Sequence, residues 1–195
     1  MAFVYYELII FAPYFKFEKM IHLHDKTFEP FISAEEIDFA VANMAKQMDD
    51  DFFDDVPVFV GILNGSFMVM SDLMKHYRGM CEVSFMKMAS YEGTTSTNDV
   101  KQLIGINENL EGRTVVIVED IVDTGNTIEE LKAIFKEKNV KHLKIATLFF
   151  KPEAYKKDIK IDYVGIRIPN KFIVGYGLDY DGLGRNLADV YQLAQ

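Results

Sequence analysis

VVIVEDIVDTGNTIEELKAI, residues 115–134, decides how the chain is read. It opens on a β-branched run, Val115 to Val118, of the kind that fills a strand buried on both faces. Glu119 and Asp120 stand where that strand should emerge. Asp123-Thr124-Gly125-Asn126-Thr127 then turns into a helix with Ile128, Leu131 and Phe135 on one face. A strand, a Gly-containing turn of small hydroxyl residues and a helix start make an anion site. The first N–H groups of the helix lack intrahelical partners, and its dipole favours negative charge there. Carboxylates beside such a cradle need another task, and sugar hydroxyls or a hard cation such as Mg²⁺ provide one. A plain strand-helix unit with an acidic helix entry is the competing reading. No G-x-x-x-x-G-K-[ST] pattern occurs in the chain, which excludes a Walker-type loop, and this turn lacks G-x-G-x-x-G.

The 195 residues suit one α/β domain with a sizeable core. A net charge of −9 offers no basic field for nucleic-acid phosphates, so an anionic substrate must be held by local donors and a metal. One cysteine, Cys81, excludes an internal disulfide and a multi-cysteine zinc site. His22 and His24 read as packed or solvated side chains rather than a ligand pair. Residues 1–20 form an apolar, aromatic stretch too short to span a membrane and without a basic leader. They read as an N-terminal extension, such as an upstream start codon would add. Residues 21–195 read as one domain of a cytoplasmic protein.

Ser33-Ala34-Glu35-Glu36 has the form of a capping box for a helix running to about Met48. The following acidic residues, 49–51 and 54–55, read as a solvated connection. Val58 to Leu63 is a second buried strand, and Asn64-Gly65-Ser66 leads it into a helix reaching about His76. This second small-residue turn can offer backbone donors to another anion. Residues 81–88 alternate as a strand, and residues 92–99 carry almost nothing to bury, as in a mobile loop or a hairpin tip. Strands are expected over 142–149 and 162–168. Lys151 falls just past the first of these, where ligands bind in open α/β sheets. Phe172 offers a flat face for a heterocycle, with a place in the core as the alternative. Arg185 places a guanidinium close behind, suited to an anion.

VVIVEDIVDTGNT resembles the phosphoribosyl-diphosphate motif of the type I phosphoribosyltransferases. Lys151 followed by PNKFIVGYGLDY (residues 169–180) and Arg185 resembles the purine half of their hypoxanthine-guanine branch. The resemblance covers roughly residues 26–190. It implies a mostly parallel twisted sheet flanked by helices, with a small hood from about 21–33 and 169–195. The reaction implied is transfer of a 5-phosphoribosyl group from phosphoribosyl diphosphate to N9 of hypoxanthine or guanine, giving IMP or GMP and pyrophosphate, with Mg²⁺.

By the same resemblance, Asp123 through Thr127 hold the 5′-phosphate and Asp123 is the general base at N7. Glu119 and Asp120 face the ribose and the metal. Leu63, Asn64 and Gly65 form the pyrophosphate loop, with a cis Leu63–Asn64 peptide, and Arg185 joins them. Many relatives carry lysine at the Asn64 position, so only the backbone role carries over. Lys151 donates to the 6-oxo group, Phe172 stacks, the Ile173 backbone meets the base edge, and Asp179 lies near C2 and a second metal. Ser90 and Tyr91 open an active-site lid. A homo-oligomer, dimer or tetramer, is implied as well. Two rivals stand beside this: a regulator of the same fold that binds without turnover, and a metal-dependent phosphohydrolase using Glu119 and Asp120.

Overall fold

The computed structural model describes residues 19–88, 102–104, 106 and 109–194. Its central strand is β6 in chain order, so the elements are introduced from the N-terminus. β1 (Ile21–Leu23) and β2 (Lys26–Ile32) form a hairpin and lead to α1 (Ala34–Asp51). β3 (Val58–Leu63), α2 (Phe67–His76), β4 (Glu82–Met88) and β5 (Gln102–Ile104) follow. β6 (Thr114–Val122), α3 (Asn126–Glu137), β7 (His142–Phe150) and β8 (Tyr163–Arg167) complete the main layer. β9 (Ile173–Val174) and β10 (Val190–Leu193) close the chain.

The main sheet has the order β5-β4-β3-β6-β7-β8, with five parallel strands and β5 antiparallel at the edge. β3 and β6 lie in the middle and are apolar almost throughout, as strands covered on both faces must be. Two buried clusters occupy the two faces. One holds Ile37, Val41, Met44 and Met48 of α1 against Phe59, Val116 and Leu148. The other holds Ile128, Leu131 and Phe135 of α3 against Val60, Ile117 and Ile145. This is the type I phosphoribosyltransferase architecture, as the sequence implies.

The Ser33–Glu36 capping box forms in full: Ser33 Oγ accepts from the Glu36 N–H, and the Glu36 carboxylate accepts from the Ser33 N–H. The acidic stretch 49–55 is more than a solvated connection, and its first three residues extend α1 to Asp51. Asp49 accepts from the Arg78 and Gly79 N–H groups, Asp51 from the Tyr163 hydroxyl and Asp55 from the Thr114 hydroxyl. These carboxylates tie the end of α1 and the segment after it to β6, to β8 and to the turn that follows α2. His22 and His24 face different partners, Thr27 Oγ1 and the Asp181 carbonyl.

A second, antiparallel sheet of order β1-β2-β10-β9 joins residues 21–32 to residues 173–193. Phe28, Val174 and Tyr191 form its own buried cluster. This sheet overhangs the C-terminal ends of the parallel strands, where open α/β sheets bind ligands. Among the described residues no helix is long and apolar enough to cross a membrane.

Candidate active site

The cradle takes the shape its sequence demands. Gly125 is the N-cap of α3 with φ 87° and no side-chain capping bond, so the first N–H groups of the helix stay available. Thr124, Asn126 and Thr127 are exposed around it. A Cβ on Gly125 would also run into the Tyr155 ring and the Lys157 side chain. Those two residues, unmarked in the sequence reading, buttress the turn from behind. Tyr155 is fixed by donating to the Ile159 carbonyl at 2.7 Å, and Lys157 by its ion pair with Glu129 at 2.6 Å.

β6 runs four residues further than its β-branched core suggests, so Glu119 and Asp120 lie within the strand rather than beyond it. The core alternation slips phase at this pair: Ile117 belongs to the α3 face, Ile121 to the α1 face and Val122 again to the α3 face. Glu119 is only 6% exposed, and no donor among the described residues pairs with it. Burial, and then the charge of Asp120, push its carboxyl well above the usual range. Asp120 is pushed up to about 6, first by burial, against lowering contributions from the Ile121 N–H and Arg185.

The Leu63–Asn64 peptide is cis. The loop it begins is pressed from two sides. A Cβ on Gly65 would overlap the Asp120 carboxylate, and a Cβ on Gly177 would overlap the Gly65 carbonyl. The Leu63–Gly65 loop is therefore packed directly between the Asp120 carboxylate and the backbone of the 175–177 turn. Asn64 is exposed, while the Ser66 hydroxyl is buried beneath the loop without a partner among the described residues.

Across the cleft, Lys151 is 7% exposed and its Nζ donates to Asp123 Oδ2 at 2.8 Å. The two residues to which the resemblance gives opposite halves of one base edge thus satisfy each other. Phe172 is 46% exposed and packs edge-on to Tyr180 at 5.9 Å and tilted on Phe28 at 6.1 Å. A place in the core is therefore not what it has: Phe172 only borders the hood residues, and Lys26 Nζ lies 5.9 Å from its ring centroid. Ile173 is buried in β9. Arg185 is held by Asp179 at 2.6 Å and by donating to the Gly177 carbonyl at 2.7 Å. Glu119, Asp120 and Asp179 do not form a three-carboxylate metal cluster among the described residues, because Asp179 is engaged by Arg185 and the Gly182 N–H. Ser90 and Tyr91 lie outside the described residues.

A phosphate cradle, a buried acidic pair and an overhanging antiparallel hood define a phosphoribosyltransferase, and residues 33–181 match the phosphoribosyl transferase domain family. The hypoxanthine-guanine phosphoribosyltransferase of Streptococcus mutans is 44% identical over 156 residues, covering 80% of this chain and 87% of that one. That of Bacillus subtilis is 40% identical over 157 residues, covering 80% and 87%. The crystal structure of a hypoxanthine-guanine phosphoribosyltransferase from Bacillus anthracis superposes with a TM-score of 0.80 at 38% identity, covering 85% of this chain and 98% of that one. The chain belongs to the hypoxanthine-guanine phosphoribosyltransferase family.

Proposed function

We propose that the chain transfers the 5-phosphoribosyl group of phosphoribosyl diphosphate to N9 of hypoxanthine or guanine, forming IMP or GMP and pyrophosphate in purine salvage. The observation that carries the base assignment is the Lys151–Asp123 pair, set at the strand ends beside the cradle. An oxopurine presents a carbonyl acceptor at C6 next to N7. Lys151 donates to the carbonyl and Asp123 takes the N7 proton, so the base replaces one ion pair with two charge-assisted hydrogen bonds. An exocyclic amine at C6 would set a donor against the ammonium, which disfavours adenine. Phe172 stacks on the ring, the Ile173 backbone lines its edge, and Asp179 stands on the C2 side.

The α3 N-terminus, with Thr124, Gly125, Asn126 and Thr127, holds the 5′-phosphate. Leu63, Asn64 and Gly65, with Arg185, hold pyrophosphate. Glu119 and Asp120 face the ribose hydroxyls and stabilise the positive charge that grows on the anomeric carbon. Two adjacent buried carboxylates with raised pKa values also suit a divalent cation, which would restore their charged forms. Magnesium held there supplies charge neutralisation for the departing pyrophosphate. Ser90 and Tyr91 belong to the lid in this reading. The enzyme is cytoplasmic and self-associates as a dimer or tetramer.

A purine panel with phosphoribosyl diphosphate tests this, with and without Mg²⁺. The expected result is metal-dependent nucleotide formation from hypoxanthine or guanine and none from adenine. Tight binding of phosphoribosyl diphosphate without product from any base would instead make the chain a regulator.

A further inference from the structure

The turn Gly175-Tyr176-Gly177 holds three successive residues at positive φ, 104°, 46° and 97°. Glycine adopts such angles freely; tyrosine does not, and needs outside contacts to keep it there. Two hydrogen bonds do so. The Tyr176 N–H donates to the Leu187 carbonyl at 2.8 Å, and its hydroxyl donates to Asp72 Oδ2 at 2.6 Å. Asp72 lies on α2, the helix that begins just after the pyrophosphate loop, and also takes Lys75 Nζ at 2.7 Å. Tyr176 itself is buried in the α1 cluster.

This bond spans the hood and the helix on which the pyrophosphate loop is mounted. Next to it, Gly177 touches the Gly65 backbone, exchanges a backbone hydrogen bond with Arg185 (Gly177 N–H to Arg185 carbonyl, 3.0 Å) and accepts from its guanidinium. Nothing else in the turn has a side chain that can set the spacing between the two walls. We propose that Tyr176 and Asp72 are positioning residues for the pyrophosphate subsite, fixing the clearance between the Gly65 loop and the Gly177–Arg185 wall without touching substrate themselves. The inference rests on the pyrophosphate assignment made above.

A second buried tyrosine serves as an internal control. Tyr163 donates to Asp51 at 2.7 Å, the same chemistry, but at the start of β8 and so at the opposite end of the sheet from the site. The test compares Tyr176→Phe, Asp72→Ala, Asp72→Asn and Tyr163→Phe. Each substrate is varied in both reaction directions, and melting temperatures and calorimetric pyrophosphate affinity are measured alongside. Losing a hydrogen bond to a charged acceptor is expected to raise the KM for phosphoribosyl diphosphate and for pyrophosphate about tenfold in Tyr176→Phe and Asp72→Ala, with purine KM changing less than about twofold. Asp72→Asn, which still accepts the hydroxyl, should recover most of the loss. Tyr163→Phe should lower the melting temperature and leave every kinetic constant alone.

Asp72→Ala interrogates the bond from the exposed side should Tyr176→Phe fail to fold. Unchanged pyrophosphate affinity in both deletion variants overturns the proposal, as does an equal rise in purine KM or the same kinetic defect in Tyr163→Phe. The calorimetric contrast reads the proposal without turnover. An inactive wild-type protein with intact pyrophosphate contrast would therefore sink the reaction assigned above and leave this inference standing.

Discussion

Replacing Lys151 by methionine removes the ammonium and keeps an unbranched apolar stem in its place. The stem matters, because Lys151 is 7% exposed and an alanine would leave a hole. The structural loss should be small. Asp123, the partner left behind, has a side chain 44% exposed, so water can take over its hydration. The pair's contribution to folding is thus about 0–1 kcal/mol, a fall in melting temperature of at most about 4 °C. The backbone hydrogen bond from the Lys151 N–H to the Val122 carbonyl at 3.0 Å, which ties this turn to the end of β6, survives the change. What is lost in catalysis is one charge-assisted hydrogen bond to the 6-oxo group, about 1.5–3 kcal/mol. That corresponds to about a 10- to 150-fold drop in kcat/KM for hypoxanthine. Lys151 meets the cradle through the half-exposed Asp123 carboxylate, whereas the phosphate donors are the N–H groups and hydroxyls of residues 124–127, so KM for phosphoribosyl diphosphate should change by less than about threefold. Initial rates with each substrate varied in turn measure both numbers. Equal losses on the two substrates would refute the assignment of Lys151 to the base.

Gly177→Ala should weaken phosphoribosyl diphosphate and pyrophosphate binding at least about tenfold, because the new methyl group meets the Gly65 carbonyl and φ is 97°; wild-type affinity in calorimetry would show that the two walls separate freely. Asp120 gives a pH dependence of definite sign. Its folded pKa of about 6 lies above its ordinary 3.8, so the folded state binds the proton more tightly, and its contribution to stability falls as pH rises from 3.8 to about 6. Metal-free Asp120→Asn should therefore gain on the wild type across that window and stay ahead at neutral pH; parallel melting curves for the two proteins would contradict this. Ser33→Ala removes half of the capping box and should cost about 1 kcal/mol, or about 2–4 °C in melting temperature, with kinetics unchanged.

The strands and helices were legible wherever one local pattern decided them. β3 and the Val115–Val118 part of β6 are uninterrupted apolar runs, Ser33 and Glu36 cap α1 from within four residues, and Ile128, Leu131 and Phe135 all face the core. The length of β6 was not legible, because Glu119 and Asp120 are poor strand residues whose place depends on hydrogen bonds to β7. The same holds for the acidic connection: that Asp49, Asp51 and Asp55 each cap or bridge a distant element is a tertiary fact, between residues 29 to 112 positions apart. At the site, the motifs named the residues but not their mutual engagement. Neither the Lys151–Asp123 pair nor the Arg185–Asp179 pair has a local signal, and Tyr155 and Lys157 behind Gly125 could only be found by building the turn.

The overhanging sheet has a consequence for how the protein is made. β2 is complete once residue 32 has been synthesised, yet its partner β10 begins at Val190. At about 5–20 residues per second on the ribosome, that edge waits roughly 8–30 s for the strand that covers it. Until then one side of the β1–β2 hairpin is an open row of backbone donors and acceptors, exposed to other nascent chains. The turn at Gly125, by contrast, needs only residues up to its buttress at Tyr155 and Lys157 and can form before β10 exists. Chains whose residues 1–160 have emerged but whose residue 190 has not should display a formed Gly125 turn and an unroofed site, and such chains are the ones for which a chaperone has most to shield.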